Sequence, residues 1–140
     1  MTYQIAGINE NPVIKVAQIV LNPDQLIDLI NTPVTFIPAP QTNQVIVPIS
    51  VVARTYDGSI PYFTGIQQSY DIILGYDTSS QVADFLTSLS IAQDNIQLNA
   101  TLTTDAVAGF PIIVYANATL TQNGDKWLRI YMTYQVMDIS

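Results

Sequence analysis

The 140-residue chain is long enough to form one domain with its own core, because a chain of this size buries roughly two-thirds of the surface that its unfolded form exposes. It has no Cys, which excludes disulfides and thiolate metal sites, and no His, which excludes the commonest general base and transition-metal ligand. The net charge of -7, with only four basic residues, argues against binding to nucleic acids or anionic membranes.

The low content of charged residues predicts a protein that associates with partners. Charged residues make up 11% of the chain, against about a quarter in ordinary soluble domains, while apolar residues make up 49%. We interpret this balance as a surface partly covered by other subunits. A monomer with a polar, uncharged surface is the alternative.

The first twelve residues end in a turn-forming cluster, Asn9-Glu10-Asn11-Pro12. We expect 1–12 to be an N-terminal arm or a peripheral strand, followed by a single domain at 13–140. The start lacks the basic region and apolar core of a signal peptide, which predicts synthesis in the cytoplasm.

The domain is predicted to begin with a strand and a short helix. The strand, Val13–Leu21, has an imperfect alternation that suggests burial on both faces for part of its length. Asn22 is a predicted helix cap, Pro23 fits the first helical position, and Asp24 complements the helix dipole. Pro33 ends this helix within about two turns.

The next stretch contains the longest apolar run of the chain. After a short strand at Val34–Ile37 and a double-proline turn, Gln44–Tyr56 is predicted as a long strand. Pro48 lacks an amide hydrogen, so the strand is either an edge there or bulged, and a bulge would let it serve two sheets. For Arg54 we expect a structural ion pair with a nearby Asp, ahead of ligand binding.

The middle of the chain is predicted to be less regular. An Asp57-Gly58 turn leads into a loop in which Tyr62 and Phe63 lie at the rim of the core or, alternatively, bind a partner or a sugar. A strand at Tyr70–Tyr76 follows. The apolar spacing at Gln81–Leu89 predicts a second helix, with a loop containing one helical turn as the alternative.

The last third of the chain predicts three strands. Asn95–Thr104 alternates cleanly between apolar and polar residues. Ile112–Thr121 and Trp127–Met137 are predicted to form a long hairpin around Asn123-Gly124. The face of the final strand that carries Trp127, Arg129 and Tyr131 suits a subunit interface as well as a wet surface.

These elements predict an all-β fold, a jelly-roll-like antiparallel β-sandwich of about eight strands with one or two short helices. The chemistry predicts no enzyme, no cofactor and no metal. Asp57, Asp71 and Asp77 flank neighbouring predicted strands and could in principle supply the two carboxylates of a glycosidase, but each lies in or beside a turn, where Asp is an expected residue. A calcium site built on loops from Asp57, Asp77 or Asp105 is the remaining alternative.

Several short motifs resemble a known class of proteins. They are Asn31-Thr32-Pro33-Val34, Ile37-Pro38-Ala39-Pro40, Arg54-Thr55-Tyr56-Asp57-Gly58, and Gly124-Asp125 ahead of a strand closing in Tyr134-Gln135-Val136-Met137-Asp138. The pattern resembles small β-sandwich virion proteins of tailed bacteriophages and prophages. It departs from them at Gln41, where a Gly is expected, and 59–94 has no counterpart.

The resemblance implies a structural virion protein, in the first place a capsid decoration or cement protein that stabilises the head by bridging capsid subunits. It implies a location on the capsid surface, the major capsid protein as partner, and a homo-oligomer for which a trimer is the working guess. The interface residues expected are Trp127, Arg129, Tyr131, Tyr62 and Phe63. The alternative is a carbohydrate- or receptor-binding module, or another head or tail accessory protein, using Tyr56, Tyr62, Phe63 and Tyr76.

Overall fold

A computed structural model of the protein describes residues 13–60, 71–78, 81–86, 95–98, 101–102, 107–117 and 124–139. These residues form nine β-strands and one short α-helix. In chain order the elements are β1 (Lys15–Leu21), α1 (Pro23–Ile27), β2 (Val34–Ile37), β3 (Gln44–Tyr56), β4 (Asp71–Gly75), β5 (Gln81–Leu86), β6 (Asn95–Leu98), β7 (Thr101–Leu102), β8 (Ile112–Ala116) and β9 (Trp127–Asp138).

The strands form two antiparallel sheets, which confirms the predicted all-β class. Sheet one has four strands in the order β1-β9-β3-β6, and sheet two has five in the order β2-β8-β4-β5-β7. Each pair of neighbouring strands runs antiparallel. Most connections carry the chain from one sheet to the other, so strands that are close in sequence are seldom neighbours.

The two sheets share one hydrophobic core. Alternating residues of β9, Leu128, Ile130 and Met132, are each 3% exposed or less, as expected for a strand with one face buried. Side chains from both sheets and from the helical segment belong to the same cluster, among them Leu21, Leu26, Leu29, Ile46, Leu74, Ile112, Val114, Leu128, Ile130 and Met132. The burial of this cluster away from water is the main force holding the sheets together.

The helix α1 begins where the sequence predicts. Asn22 is the cap: its side chain accepts a hydrogen bond from the Gln25 amide at 2.9 Å, and the Gln25 side chain accepts one from the Asn22 amide at 3.0 Å. This capping box satisfies two amides that the helix itself leaves free. Since α1 has only five residues, it depends on Leu26, which is 1% exposed, to dock on the core.

The strand β3 has the predicted bounds and, of the two alternatives left open at Pro48, an edge or a bulge, it has the bulge. Its register with β9 shifts between Pro48 and Ser50. Pro48 has no amide hydrogen to donate. The hydrogen-bond ladder between β3 and β9 is therefore interrupted at this residue. The bulge does not divide β3 between the sheets, however, because the whole strand belongs to sheet one. The expectation of one strand serving two sheets is therefore wrong.

The predicted second helix at 81–89 is also wrong. Residues 81–86 form β5, which pairs with β4 from Asp71↔Leu86 to Gly75↔Gln81. Val82, Phe85 and Leu86 fit helical spacing, yet valine and phenylalanine also favour strands. In a segment this short, pairing with a neighbouring strand outweighs the weak local preference for helix.

Two other pairings differ from those predicted. The single strand expected at Asn95–Thr104 is instead β6, which pairs with β3 in sheet one, and β7, which pairs with β5 in sheet two. Within the described part of the chain, β8 and β9 do not pair as the hairpin expected around Asn123-Gly124: β8 pairs with β2 and β4, while β9 pairs with β1 and β3. Both β8 and β9 thus have a partner on either side, and a local turn signal cannot reveal such competition.

The strand β1 lies at the edge of sheet one and is more exposed than predicted. Val16 is 71% exposed, and Val13 and Ile14, just before the strand, are 67% and 58% exposed. The burial on both faces that was expected for part of the strand is limited to its C-terminal end, where Ile19 and Val20 are partly buried and Leu21 is buried. The predicted arm at 1–12 lies outside the described residues, so the boundary at residue 13 stays a prediction. Within the described ranges, no helix is long and apolar enough to cross a membrane.

Candidate interaction surface

The side chains of β1, β3 and β9 that point away from the core make up one surface, which we call the outer face. Because Leu128, Ile130 and Met132 point into the core, the residues between them point outward, and so do their direct partners on β1 and β3. The outer face consists of Val16, Gln18, Val20, Ser50, Val52, Arg54, Tyr56, Trp127, Arg129, Tyr131 and Thr133.

The charge of the outer face is opposite in sign to that of the chain. None of its residues is acidic and two are arginines, whereas the whole chain has 11 acidic and four basic residues. Exposed carboxylates occur elsewhere, for example at Asp24 in the first turn of α1 and at Asp28 just after it. The outer face as defined here thus carries a positive charge, in a chain whose net charge is -7.

Arg54 and Arg129 are directly opposite each other across β3 and β9. Both guanidinium groups lie near the ring of Tyr56, with the Cζ atom 5.9 Å from the ring centroid for Arg54 and 5.0 Å for Arg129. Like charges at directly opposed positions repel each other, and the electron-rich ring offsets part of that repulsion. The predicted ion pair of Arg54 with an aspartate stays a prediction.

Arg129 is held in place from one side by Tyr131. Its Nη1 atom donates a long hydrogen bond of 3.5 Å to the Tyr131 hydroxyl. This hydrogen bond is the largest of the effects that raise the pKa of Arg129 above its ordinary value, so the guanidinium is charged at every ordinary pH. The Nε atom of Arg129 is enclosed and has no acceptor among the described residues.

The outer face has the composition of a protein–protein contact. Trp, Tyr and Arg are the side chains most enriched where partners bury the centre of an interface. Trp127 is 37% exposed, and Val16, which lies on the same face at the edge strand, is 71% exposed. The face therefore presents exposed apolar area together with the two arginines Arg54 and Arg129.

Three of the five predicted interface residues, Trp127, Arg129 and Tyr131, lie together on this face. Tyr62 and Phe63 lie outside the described residues. Sequence reasoning did not place Arg54 and Tyr56 here. Their two-residue spacing on β3 indicates that they share a face, but placing them beside Arg129 and Trp127 requires the register of β3 with β9.

One residue of the sugar-binding alternative belongs to the core instead. Tyr76 is 2% exposed and its hydroxyl donates a hydrogen bond to the carbonyl oxygen of Ile46. Burial raises the pKa of the Tyr76 hydroxyl, because the charged phenolate would lose its hydration there. Tyr76 therefore cannot offer its ring to a ligand, whereas Tyr56 is half-buried on the outer face.

The Asp57-Gly58 turn is held by residues more than sixty positions away. Oδ1 of Asp125 accepts hydrogen bonds from the amides of Ser59, at 2.8 Å, and Ile60, at 2.7 Å. The neighbouring Lys126 is fully buried, and its Nζ atom donates to the carbonyl oxygen of Asp57 at 3.3 Å. Two of the motifs that carry the family resemblance, the one ending in Asp57-Gly58 and the one beginning with Gly124-Asp125, are therefore in contact. This contact holds the turn.

The described residues do not gather a metal site. Within those ranges, no three His, Cys, Asp or Glu side chains come together as ligands. Asp105, one residue of the calcium alternative, lies outside the described part of the chain, so that alternative stays a prediction.

A cleft lies beside β1, apart from the outer face. It is open, has a volume of about 510 Å³, and lies between the start of β1, β3, β9 and the loop after β2. Its lining mixes the apolar Val13, Ile37, Pro38, Pro40, Ile46 and Val136 with the polar Lys15, Gln44 and Tyr134. Among these lining residues there is no pair of carboxylates, no nucleophile with a base and no set of metal ligands.

Comparison with known proteins identifies the fold and leaves the function open. No protein-family model matches the chain, and no curated protein sequence matches it. Among solved structures, a chain of the cyanophage Pam1 capsid asymmetric unit aligns with a TM-score of 0.56 and 12% identity, over 96% of this chain and 93% of that one. A chain of the Bacillus endospore appendages, described as disulfide-linked pili, aligns over 100% of this chain and 99% of that one with 11% identity, but its TM-score of 0.33 is too low to support an argument.

Proposed function

We propose that this chain is a structural protein of a tailed-phage particle, and specifically a capsid decoration or cement protein that bridges capsid subunits. The observation that carries the proposal is the fold shared with a chain of a cyanophage capsid along nearly the full length of both chains. The sequence motifs that resemble virion proteins of tailed phages are a second, separate support for the proposal.

The relative sizes of the two chains favour a small capsid component. Since the alignment covers 96% of this 140-residue chain and 93% of its capsid neighbour, the two chains are of closely similar length. A protein of this size forms one small domain. That fits a subunit added to the outside of a shell, and we place the protein on the capsid surface with the major capsid protein as its partner.

We further interpret the fold as a jelly roll. The pairings are nested: β1 with β9, β2 with β8, β3 with β6, and β4 with β5. A chain folded back on itself as one long antiparallel hairpin and then wrapped into two sheets has this pattern, with the two-residue β7 as an addition. Jelly rolls of this kind are common in viral capsid proteins.

The mechanism of a cement protein needs adhesive surface and no catalytic group. The chain has no His and no Cys, and only 11% of its residues are charged. It offers instead the outer face, with Trp127 and Tyr131, and the open cleft beside β1. Burying such surface across the joints of a shell would hold neighbouring subunits together, as other protein interfaces do. A homo-oligomer, for which a trimer is the working guess, would bridge several subunits at once.

A head-binding experiment tests this proposal. Purified protein is mixed with heads of the parent phage that lack it and is sedimented through a density gradient, with separated tails as the control. We expect the protein to sediment with the heads and to raise the temperature at which they break open. Absence of the protein from purified parent particles, by mass spectrometry, would contradict the proposal.

A receptor- or sugar-binding module of the virion is the second candidate. It is favoured by Tyr56 and Trp127, which are paired on the outer face next to two arginines and could stack on sugar rings. A glycan array distinguishes the two functions. Specific binding that the Trp127→Ala substitution abolishes, in a protein that does not sediment with heads, would favour this candidate.

A further inference from the structure

We propose that the edge strand β1 pairs with β1 of a second copy of this chain, antiparallel and around a two-fold axis that passes through Gln18. The pairing joins the four strands of sheet one in each copy into one continuous sheet. It follows from the residues and the position of β1, and it does not depend on the proposed function.

The outer edge of β1 carries main-chain groups that another strand can bind. Among the described residues, β9 is the only strand that pairs with β1. Alternate residues of an antiparallel strand direct their amide and carbonyl groups to the same neighbour, so the other residues of β1 direct theirs to the outer edge. Such a row of groups is a template for a further strand, which adds to the sheet through main-chain hydrogen bonds.

The strand β1 lacks the features that protect other sheet edges. It has seven residues, whereas the remaining edge strands of the described fold, β2, β6 and β7, have four, four and two. The edge strand β2 is also flanked by Pro33 and Pro38, and its register shifts. In β1 there is no proline and no register shift, and the only charge is Lys15 at its first residue. Short strands, prolines, bulges and charges keep edges from pairing, so β1 is the edge open to a second copy.

The hydrophobic core is less well covered at β1 than at the next strand. Ala17 and Ile19 pack against the core but are only partly buried. Their direct partners on β9, Met132 and Ile130, are fully buried. A second β1 beside the first would cover the open side of Ala17 and Ile19, and burial of this apolar area favours the dimer.

The sequence of β1 is complementary to itself when the whole strand pairs. The midpoint of the strand is Gln18. Antiparallel pairing over the full length sets these residues opposite each other: Lys15 and Leu21, Val16 and Val20, Ala17 and Ile19, and Gln18 with its own copy. The two Lys15 side chains lie at opposite ends of the pairing, about 20 Å apart along the strands, so their repulsion is screened. Opposed valines are favourable cross-strand pairs.

This register also keeps the cores of both copies on the same side of the joined sheet. A shift by one residue would turn the core face of one copy towards the outer face of the other. A shift of the axis by one residue, to Ala17 or Ile19, would leave two residues of each strand without a partner. The full-length register is therefore the favoured one, and the contact is complete with two copies.

Opposite charges at residue 18 test the position of the axis. Gln18 is exposed in the single chain, so Gln18→Glu and Gln18→Lys are compatible with the fold. In the dimer each variant sets two like charges opposite each other, whereas a mixture of both variants sets a carboxylate opposite an ammonium group. Thr35→Glu and Thr35→Lys are the matched controls, because Thr35 is exposed on β2, the edge strand of sheet two. Light scattering measures the mass in solution, and circular dichroism checks the fold.

We expect the wild-type protein to dimerise reversibly with rising concentration. Gln18→Glu and Gln18→Lys should each raise the dissociation constant about three- to tenfold, and their equimolar mixture should restore the affinity. Both Thr35 variants should change it less than about twofold. A wild-type protein that is monomeric at all concentrations, or a trimer, overturns the inference. So does a dimer that the Gln18 variants leave intact, or one that the mixture of variants does not restore.

A cysteine at residue 18 gives a second readout. The chain has no Cys, so Gln18→Cys introduces its only thiol. Opposed residues of antiparallel strands have Cα atoms about 4.5–5.5 Å apart, which a disulfide can span. Diamide accepts the two electrons and two protons of the thiols, and it should convert Gln18→Cys into a covalent dimer on a non-reducing gel. Thr35→Cys is the control, and equal cross-linking of the two variants would contradict the pairing.

The pairing of β1 and the capsid role fail in distinguishable ways. A monomeric protein that sediments with phage heads overturns the pairing and leaves the capsid role standing. A monomer whose binding to heads is abolished by Gln18→Glu shows that a capsid strand occupies the edge, which also overturns the pairing. A dimer that depends on Gln18 and does not bind heads supports the pairing and contradicts the capsid role.

Discussion

Asp125 closes the turn at Gly58 so tightly that a Cβ atom on Gly58 would overlap the Asp125 carboxylate and backbone. Gly58 also has a φ of +70°, a conformation that residues with a side chain rarely adopt. The Asp125 carboxylate accepts the amides of Ser59 and Ile60, and the Asp125 amide donates to the Ile60 carbonyl at 3.2 Å. This contact ties the end of β3 to the residues that lead into β9.

We expect Asp125→Ala to destabilise the protein by about 1–2 kcal/mol, because two amides of an exposed turn lose a charged acceptor. Asp125→Asn is the control, since it keeps one acceptor oxygen and should retain about half of that stability. Urea unfolding followed by circular dichroism measures both. An Asp125→Ala variant as stable as the wild type would show that the turn holds without this carboxylate.

Two glycines with positive φ provide a matched pair. We expect Gly58→Ala to destabilise by about 2–4 kcal/mol, because strain of the backbone is added to overlap with Asp125. Gly109→Ala has a similar φ of +77° but meets only Thr42 at 3.3 Å, so it should cost about 1–2 kcal/mol. Thermal unfolding compares the two. Equal losses would mean that backbone strain alone matters at Gly58.

Tyr76 should make stability depend on pH in alkaline solution. Burial raises its pKa above 10.0, so the unfolded chain loses the proton first. The contribution of Tyr76 is therefore complete below about pH 10 and is lost as the pH rises towards the pKa in the folded state. We expect Tyr76→Phe to cost about 1 kcal/mol at neutral pH, through the lost hydrogen bond to Ile46, and to reduce the loss of stability above pH 10. Unfolding at neutral and alkaline pH is the measurement, and an unchanged alkaline slope would contradict the assignment.

Two methionines of β9 test the position of the core. Met132 is fully buried and Met137 is 41% exposed. Met132→Ala should cost about 2–5 kcal/mol because it leaves a cavity between the sheets. Met137→Ala should change stability by less than about 0.5 kcal/mol. Chemical unfolding of both variants is sufficient, and similar losses would show that the face of β9 is wrongly assigned.

Local signals in the sequence predicted those parts of the fold that depend on neighbouring residues. Asn22 caps α1 as expected, since a cap needs only the amides of the next three residues. Pro48 bulges β3 because the missing hydrogen bond is a property of the proline itself. The faces of β9 follow from alternation, which is why Trp127, Arg129 and Tyr131 could be grouped from sequence alone.

Pairing between distant strands was decided only by the tertiary structure. The hairpin expected at Asn123-Gly124 gave way to β9 lying between β1 and β3, and the helix expected at Gln81–Leu89 gave way to β5 beside β4. A turn or helix signal is worth about 1 kcal/mol, whereas a strand buried between two neighbours gains far more from packing.

The sequence by itself determined the all-β class, the capped helix and the lack of His and Cys chemistry, and it limited Pro48 to an edge or a bulge, because composition and local geometry are enough for these. The tertiary structure decided which strands are neighbours, and with them the outer face. Arg54 and Arg129 are 75 positions apart in the chain, and only the register of β3 with β9 places them opposite each other beside Tyr56. Register depends on the packing of all strands at once, so it cannot be read from either segment alone.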